Sequence, residues 1–405
     1  MLRKINPDSF QLANRSTSRE INRQIALTLI RAHQPISRAD LAREMNTHRA
    51  VVTLLANELL TEGLIVEGAT GEAKRGRKPT FLYIDSRERY VLAVDIRATR
   101  TYIQATDMVG KPLDGLESFS TPRDAQQFIA ELTARLKGIM AEQNATCQGV
   151  GVVVPGMVEA ATGRILHAPT LDWRDIALSE PLATALGLPV QVENSGRACA
   201  LAQVWATRYE NNAPGTLAFV SVSDGVGVGI VVNGETLRGK HNIAGEFGHV
   251  PLSIDGPRCA CGARGCWEAY ISNLATLSRY FGRGLSEQIL QPAETATFTV
   301  ADLIALARRG DGKAITSLHS TGRYLGLGLA SIINAIDPAV IYLSGEITAV
   351  WDLLEATVKA AIAERTLTKF AATTEIKIVG NDDYPRLRGA AALITAPAFA
   401  APRVA

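Results

Sequence analysis

No run of apolar residues in this 405-residue chain is long enough to span a bilayer, and its first residues do not read as a secretory signal. Both absences argue against membrane insertion and for a cytoplasmic protein. Cysteine is scarce: five residues, an odd number, give no complete disulfide framework and fit a reducing compartment. Net charge is nearly absent too, with 42 Lys or Arg against 40 Asp or Glu. That balance hides an asymmetry, because 15 basic residues face 10 acidic ones through Tyr90, leaving 27 against 30 beyond it. The chain is too long for one ordinary core. A small basic domain, residues 1–84, therefore precedes a larger, mildly acidic one, residues 85–405. The asymmetry suits a nucleic-acid module attached to a separate body, although a solvated basic face has the same balance.

The basic part reads as three helices and a β-ribbon. Thr17-x-x-Glu20 has the form of a capping box, and Ile21, Ile25 and Leu29 repeat at helical spacing until Pro35. Ser37-x-x-Asp40 opens a second short helix carrying Leu41 and Met45. After a turn near Asn46, a third helix starts around Thr47 and stops at Gly63. Its inner face is Val52, Leu55, Ala56 and Leu59. His48, Arg49, Thr53 and Asn57 face outward, with side chains able to reach base edges in a major groove.

Leu64-Ile65-Val66 and Thr80-Phe81-Leu82-Tyr83 then read as strands around a basic tip, Lys74-Arg75-Gly76-Arg77-Lys78. The whole has the pattern of a winged helix-turn-helix. Arg75, Arg77 and Lys78 would enter a minor groove, where A·T-rich DNA attracts guanidinium groups most strongly. A basic linker, or a winged helix serving only dimerisation, is the competing reading.

From about Val91 the pattern becomes short β-rich runs, glycine turns and intervening helices, as in an α/β domain. Val91 to Asp95 and Gly149 to Val154 are expected strands, the second delivering Pro155-Gly156 to a cleft. Gln191-Val192-Glu193-Asn194 follows. Gly225 to Gly229 reads as a glycine-rich turn, Gly326 and Gly328 as close-packing positions in a helix, and Val340 to Leu343 as a strand leading to Ser344-Gly345. The most specific segment is Glu246-Phe247-Gly248-His249 with Cys259, Cys261, Cys266 and Glu268 shortly after it. One imidazole and three thiols in a short loop can close a tetrahedral zinc shell, here His249, Cys259, Cys261 and Cys266. Buried or disulfide-linked cysteines are the bland alternative. Cys147 and Cys199 lie outside the cluster and read as small core residues.

This order of motifs resembles the ROK family of repressors and sugar kinases. The resemblance implies a two-lobed actin-like ATPase fold behind the winged helix, with a structural zinc site. It also implies sugar hydroxyls held by Glu246, His249 and Glu268, with Asn194 converging on the same ligand and His249 using one nitrogen for zinc and the other for a hydroxyl. Three positions depart from the kinase pattern. Asp95-Ile96-Arg97-Ala98-Thr99 stands where the family has Asp-x-Gly-Gly-Thr, and Ser223-Asp224-Gly225 where it has Gly-Thr-Gly. Glu193-Asn194-Ser195 replaces Glu-Asn-Asp, whose aspartate is the catalytic base. A serine cannot act as that base near neutral pH, and side chains at 97 and 98 obstruct approach to a nucleotide.

ATP is therefore not expected as a cofactor, no catalytic residue is assigned, and Arg97 is expected to pair with Asp224 across the cleft. The sequence points to a transcriptional regulator, more in the manner of a repressor of carbohydrate genes, acting as a homodimer or homotetramer on double-stranded DNA with an A·T-rich inverted repeat. Its effector would be a sugar, a sugar phosphate or a transport-system protein. The rivals are an active sugar kinase with an accessory DNA-binding domain, and a zinc-stabilised scaffold.

Overall fold

The computed structural model describes residues 15–70, 80–113, 115–207, 215–284, 290, 297–380 and 383–399. The basic N-terminal part holds α1 (Arg15–His33), β1 (Ile36–Ser37), α2 (Arg38–Glu44), α3 (Arg49–Thr61), β2 (Ile65–Thr70) and β3 (Thr80–Ile84). Ser37 caps α2 by accepting from the Asp40 amide at 3.2 Å, as expected. Asn46, at φ 48°, makes the turn into α3. Val52, Leu55, Ala56 and Leu59 are all buried, so the inner face of α3 is the expected one. Two details of α1 differ. It is helical already at Arg15, which puts Thr17 inside the first turn rather than at the cap, and its buried residues are Ala26, Leu27 and Ile30 while Ile25 is 36% exposed. α1 packs against α2, α3, β3 and also the C-terminal helix, so its buried residues do not follow the single stripe that spacing alone suggests. β3 pairs antiparallel with both β1 and β2. The basic tip with Arg75, Arg77 and Lys78 lies outside the described residues.

The body has two lobes. The first contains β4 (Arg89–Ile96), β5 (Arg100–Asp107), β6 (Glu117–Ser120), α4 (Ala125–Glu142), β7 (Thr146–Val154), the small sheet β8 (Met157–Glu159), β9 (Arg164–Ala168) and β10 (Trp173–Ala177), α5 (Ser179–Leu186) and β11 (Val190–Asn194). α6 (Ser195–Thr207) leads into the second: β12 (Thr216–Val222), β13 (Val226–Val232), β14 (Glu235–Thr236), α7 (Glu268–Ile271), α8 (Asn273–Tyr280), α9 (Val300–Arg308), α10 (Gly312–Ile336), β15 (Val340–Gly345), α11 (Trp351–Arg365) and β16 (Glu375–Val379). α12 (Pro385–Phe399) returns to the first lobe, against β4 and β7.

The main sheets run β11-β7-β4-β5-β6 and β14-β13-β12-β15-β16. Each is an antiparallel meander of three strands extended by two parallel ones, so the lobes repeat one topology. The central parallel strands β7 and β15 are buried almost throughout, Val152-Val153-Val154 in β7 for example, because both of their faces are covered, whereas the edge strand β16 is largely exposed. Gly227 and Gly229, expected in a turn, lie in β13 instead, where a Cβ on Gly229 would overlap Gly196 of α6. The missing side chains let helix and sheet approach closely, a need that a glycine-rich string shares with a turn. One apolar cluster runs from Ile30 and Leu59 through Val91 and Ala93 to Ala198 and Ala390, joining the N-terminal part to the back of the first lobe. Among the described residues no helix is long and apolar enough to cross a membrane.

Candidate functional site

A cavity of about 100 Å³ lies between the lobes, where the ends of β7 and β11 face the β12–β13 turn and the loop after β14. It is lined by Asn194, Glu246, His249 and Glu268, the four residues expected to converge on a ligand, and also by Arg97, Ser195, Asp224 and Arg386. His249 ends a short helical turn, Phe247–His249. Its Nδ1 lies 3.7 Å from Cys259 Sγ, and its Nε2 lies 4.0 Å from Glu246 Oε2. One ring nitrogen thus faces the thiols while the other faces the carboxylate.

All five cysteines are free thiols. The ligand atoms of His249, Cys259, Cys261 and Cys266 lie within 4.8 Å of one another, and Cys261 Sγ is 3.7 Å from Cys266 Sγ. A zinc tetrahedron with metal–sulfur bonds of about 2.3 Å has edges of about 3.8 Å, so this donor set fits such an ion. The loop is tight because Gly265, at φ 70°, lies against the Ser253 carbonyl, where a Cβ would overlap it. Burial pushes the Cys259 thiol up, aided by Glu268, and pushes Cys266 up to about 11. Buried thiols of this kind favour a divalent cation that neutralises them as they lose their protons.

Glu268 joins this loop to the second lobe. Its Oε2 accepts from the Val226 amide at 2.8 Å, and its Oε1 accepts from Cys259 Sγ at 3.4 Å. Asn194 is similarly engaged: its amide donates to the Gly156 carbonyl at 2.8 Å and its Oδ1 accepts from the Arg197 amide at 3.1 Å. Burial holds the Glu246 carboxyl above the usual carboxylate range, a shift opposed by His249 and Arg197.

Sequence reasoning missed a buried clasp beneath these groups. Glu193 pairs with Arg197 at 2.9 Å and also with Arg238, while Arg197 donates to the Asn242 carbonyl at 2.8 Å. The clasp ties the start of α6 to the segment ending at Glu246. Arginine and glutamate carry no metal or glycine signature, and Arg238 stands 45 residues from Glu193 along the chain.

Arg97 does not pair with Asp224. Its Nε meets Asp95 Oδ2 at 2.8 Å, and Arg386 Nε lies 2.7 Å from Asp95 Oδ1, so a fully buried aspartate is clamped between two guanidiniums. Arg386 comes from α12, some 290 residues along the chain, and brings the second charge that local spacing could not show. Asp224 instead hydrogen-bonds Asn273, and burial beside Glu346 raises its carboxyl above the usual range.

A second candidate site is the outer face of α3. His48, Arg49, Thr53 and Asn57 are all exposed, with His48 at the N-cap. Arg38 donates to Asn57 Oδ1 at 3.3 Å, and the Thr53 hydroxyl donates to the Arg49 carbonyl at 2.9 Å. Ala50 and Leu54 share this face, and the sequence reading passed over them because they are apolar.

A sequence model of the ROK family matches residues 91–396. The xylose repressor of Bacillus spizizenii is 28% identical over 360 residues, covering 87% of this chain and 89% of that protein. The crystal structure of a ROK family transcriptional regulator, a homolog of the E. coli MLC protein, aligns at a TM-score of 0.77 with 27% identity, over 95% of this chain and 97% of that one. A ROK family glucokinase from Streptomyces griseus, in complex with glucose and AMPPNP, aligns at 0.65 with 25% identity, over 75% and 98%. The regulator is matched over nearly the whole of this chain, the kinase over three quarters of it.

Proposed function

This chain belongs to the ROK family, and from that premise we propose that it is a sugar-responsive transcriptional repressor rather than a kinase. The observation that carries the reading is the contrast within one cleft. Glu246, His249 and Glu268 gather at one part of the cavity wall, while Arg97 and Arg386 at another part both close on Asp95. A phosphoryl-transfer site needs donors free to meet a triphosphate and a base for the attacking hydroxyl. Here both guanidiniums already have a carboxylate partner, and Ser195 supplies no base.

In this reading residues 1–84 form a winged helix-turn-helix and residues 85–405 a sensor that also makes the oligomer. α3 enters a major groove, the tip with Arg75, Arg77 and Lys78 enters an A·T-rich minor groove, and two-fold symmetry of a homodimer or homotetramer calls for an inverted repeat. His249, Cys259, Cys261 and Cys266 hold one structural zinc ion, which cross-links the loop bearing His249 and Glu268 and supplies no reaction chemistry. A sugar or sugar phosphate bridging Glu246, His249 and Glu268 shifts the lobes and hence the separation of the two DNA-binding parts. It acts as a switch because it favours one separation over the other.

Selection of bound duplexes from random DNA, repeated with sugars and sugar phosphates, tests the reading. The expected result is a palindromic site released by one compound, with Glu246→Ala retaining the site but losing the release. No enriched site, together with sugar-dependent ATP hydrolysis, would establish the kinase alternative instead.

A further inference from the structure

We propose that the centre of the exposed α3 face reads thymine through its 5-methyl group, with Leu54 and Ala50 as the apolar contacts; this rests on the DNA-binding reading above. Leu54 is 65% exposed, more than any other large apolar side chain in the N-terminal part among the described residues. It lies where the helix period sets it opposite the core. At 100° per residue, Ala50, Leu54 and Asn57 cluster on the side facing away from Val52, Leu55, Ala56 and Leu59.

The polar groups around them are partly committed. The Thr53 hydroxyl donates to the Arg49 carbonyl at 2.9 Å, and Asn57 Oδ1 receives Arg38 at 3.3 Å. The middle of the face therefore offers hydrocarbon. On major-groove edges the thymine methyl is the one apolar group, and burying it against an aliphatic side chain removes surface of both from water.

The charge pattern favours a duplex over an apolar protein partner. Glu58 and Glu62 at the C-terminal half of α3 are paired with Arg19 and Arg23 of α1, and Glu67 of β2 with Arg38. The acids nearest the face are thus compensated. Arg49, on the first turn, is exposed and makes no ion pair among the described residues, leaving its charge for a phosphate or a guanine edge. A helix of 13 residues, about 20 Å long, fits a major groove with its first turns foremost.

The test uses the full chain and its selected duplex, with each thymine of a half-site replaced in turn by deoxyuridine, which keeps every hydrogen bond and lacks only the methyl. At one or two positions wild-type affinity should fall about fourfold per methyl. Leu54→Ala should bind the thymine duplex more weakly and no longer distinguish deoxyuridine there, with its oligomeric state unchanged by light scattering. Wild-type protein indifferent to every replacement overturns the proposal, as does full sensitivity retained by Leu54→Ala. A change of oligomeric state in that variant also overturns it, by showing the face to be a contact between copies. Failure of the underlying reading is seen earlier and separately, as the absence of any enriched duplex for wild-type protein.

Discussion

Asp224 and Asp95 are carboxylates close to one cleft with opposite surroundings. Asp95 lies between Arg97 and Arg386 and is fully buried, whereas Asp224 keeps solvent exposure at the cleft near Glu346, with an amide, Asn273, as its hydrogen-bonding partner. Because the folded state raises the Asp224 pKa, it holds that proton more tightly than the unfolded chain does. Its contribution to stability is present at acid pH and is lost as pH rises through the folded value. Asp224→Asn removes the charge and keeps an acceptor for Asn273. Its melting temperature should exceed wild type by on the order of 1–2 °C at pH 8 and converge with it near pH 4, by thermal denaturation across that range. The cysteines make a complementary prediction. Wild-type protein purified without chelator should hold one zinc per chain by metal analysis, and Cys266→Ser should lose it together with several degrees of melting temperature. The donor set was legible because thiols and imidazole at short spacing are rare. The partner of Arg97 was not, since Arg386 reaches it through the fold.

α10 carries two glycines that the sequence marks as close-packing positions, and each serves a different partner. Gly326 does let α11 approach, at the Val358 carbonyl and Ala361. Gly328 instead faces Trp267, whose indole fills the space of the missing Cβ while its Nε1 donates to the Tyr324 carbonyl at 2.9 Å. Trp267 sits between Cys266 and Glu268, so α10 backs the loop that gathers His249 and the three cysteines. Gly328→Ala should cost about 1–3 kcal/mol by displacing that indole, measured by denaturant unfolding, and should weaken the effector response as Glu268 moves. Periodicity placed the buried face of α3 residue for residue, because α1, α2 and β2 all pack against the same stripe of it. It failed for α1, which packs against the N-terminal elements on one side and α12 on another.

The two lobes and the N-terminal helices meet at one junction. α12 begins at the cleft with Arg386, runs along β4 and β7, and packs against α6 and α1. There the Arg31 guanidinium of α1 stacks 3.4 Å over the Trp205 ring of α6. A shift between the lobes that moves α6 or α12 is thus delivered to α1 directly. Trp205→Leu should leave operator affinity near wild type while reducing the coupling between effector and DNA by about 0.5–2 kcal/mol, measured as the change in operator affinity with effector bound. Equal coupling in the variant and wild type would show that the signal travels by another contact.

The order of local motifs was enough for the family, the gathering of His249 with Cys259, Cys261 and Cys266, and the inner face of α3, because each depends on residue type within a few positions of chain. The clamp on Asp95, the Glu193–Arg197–Arg238 clasp, the indole over Gly328 and the continuity of the N-terminal core with α12 came from folding alone. Each brings together groups from separate segments, and no periodicity links residues that become neighbours only when a sheet closes or a terminal helix returns.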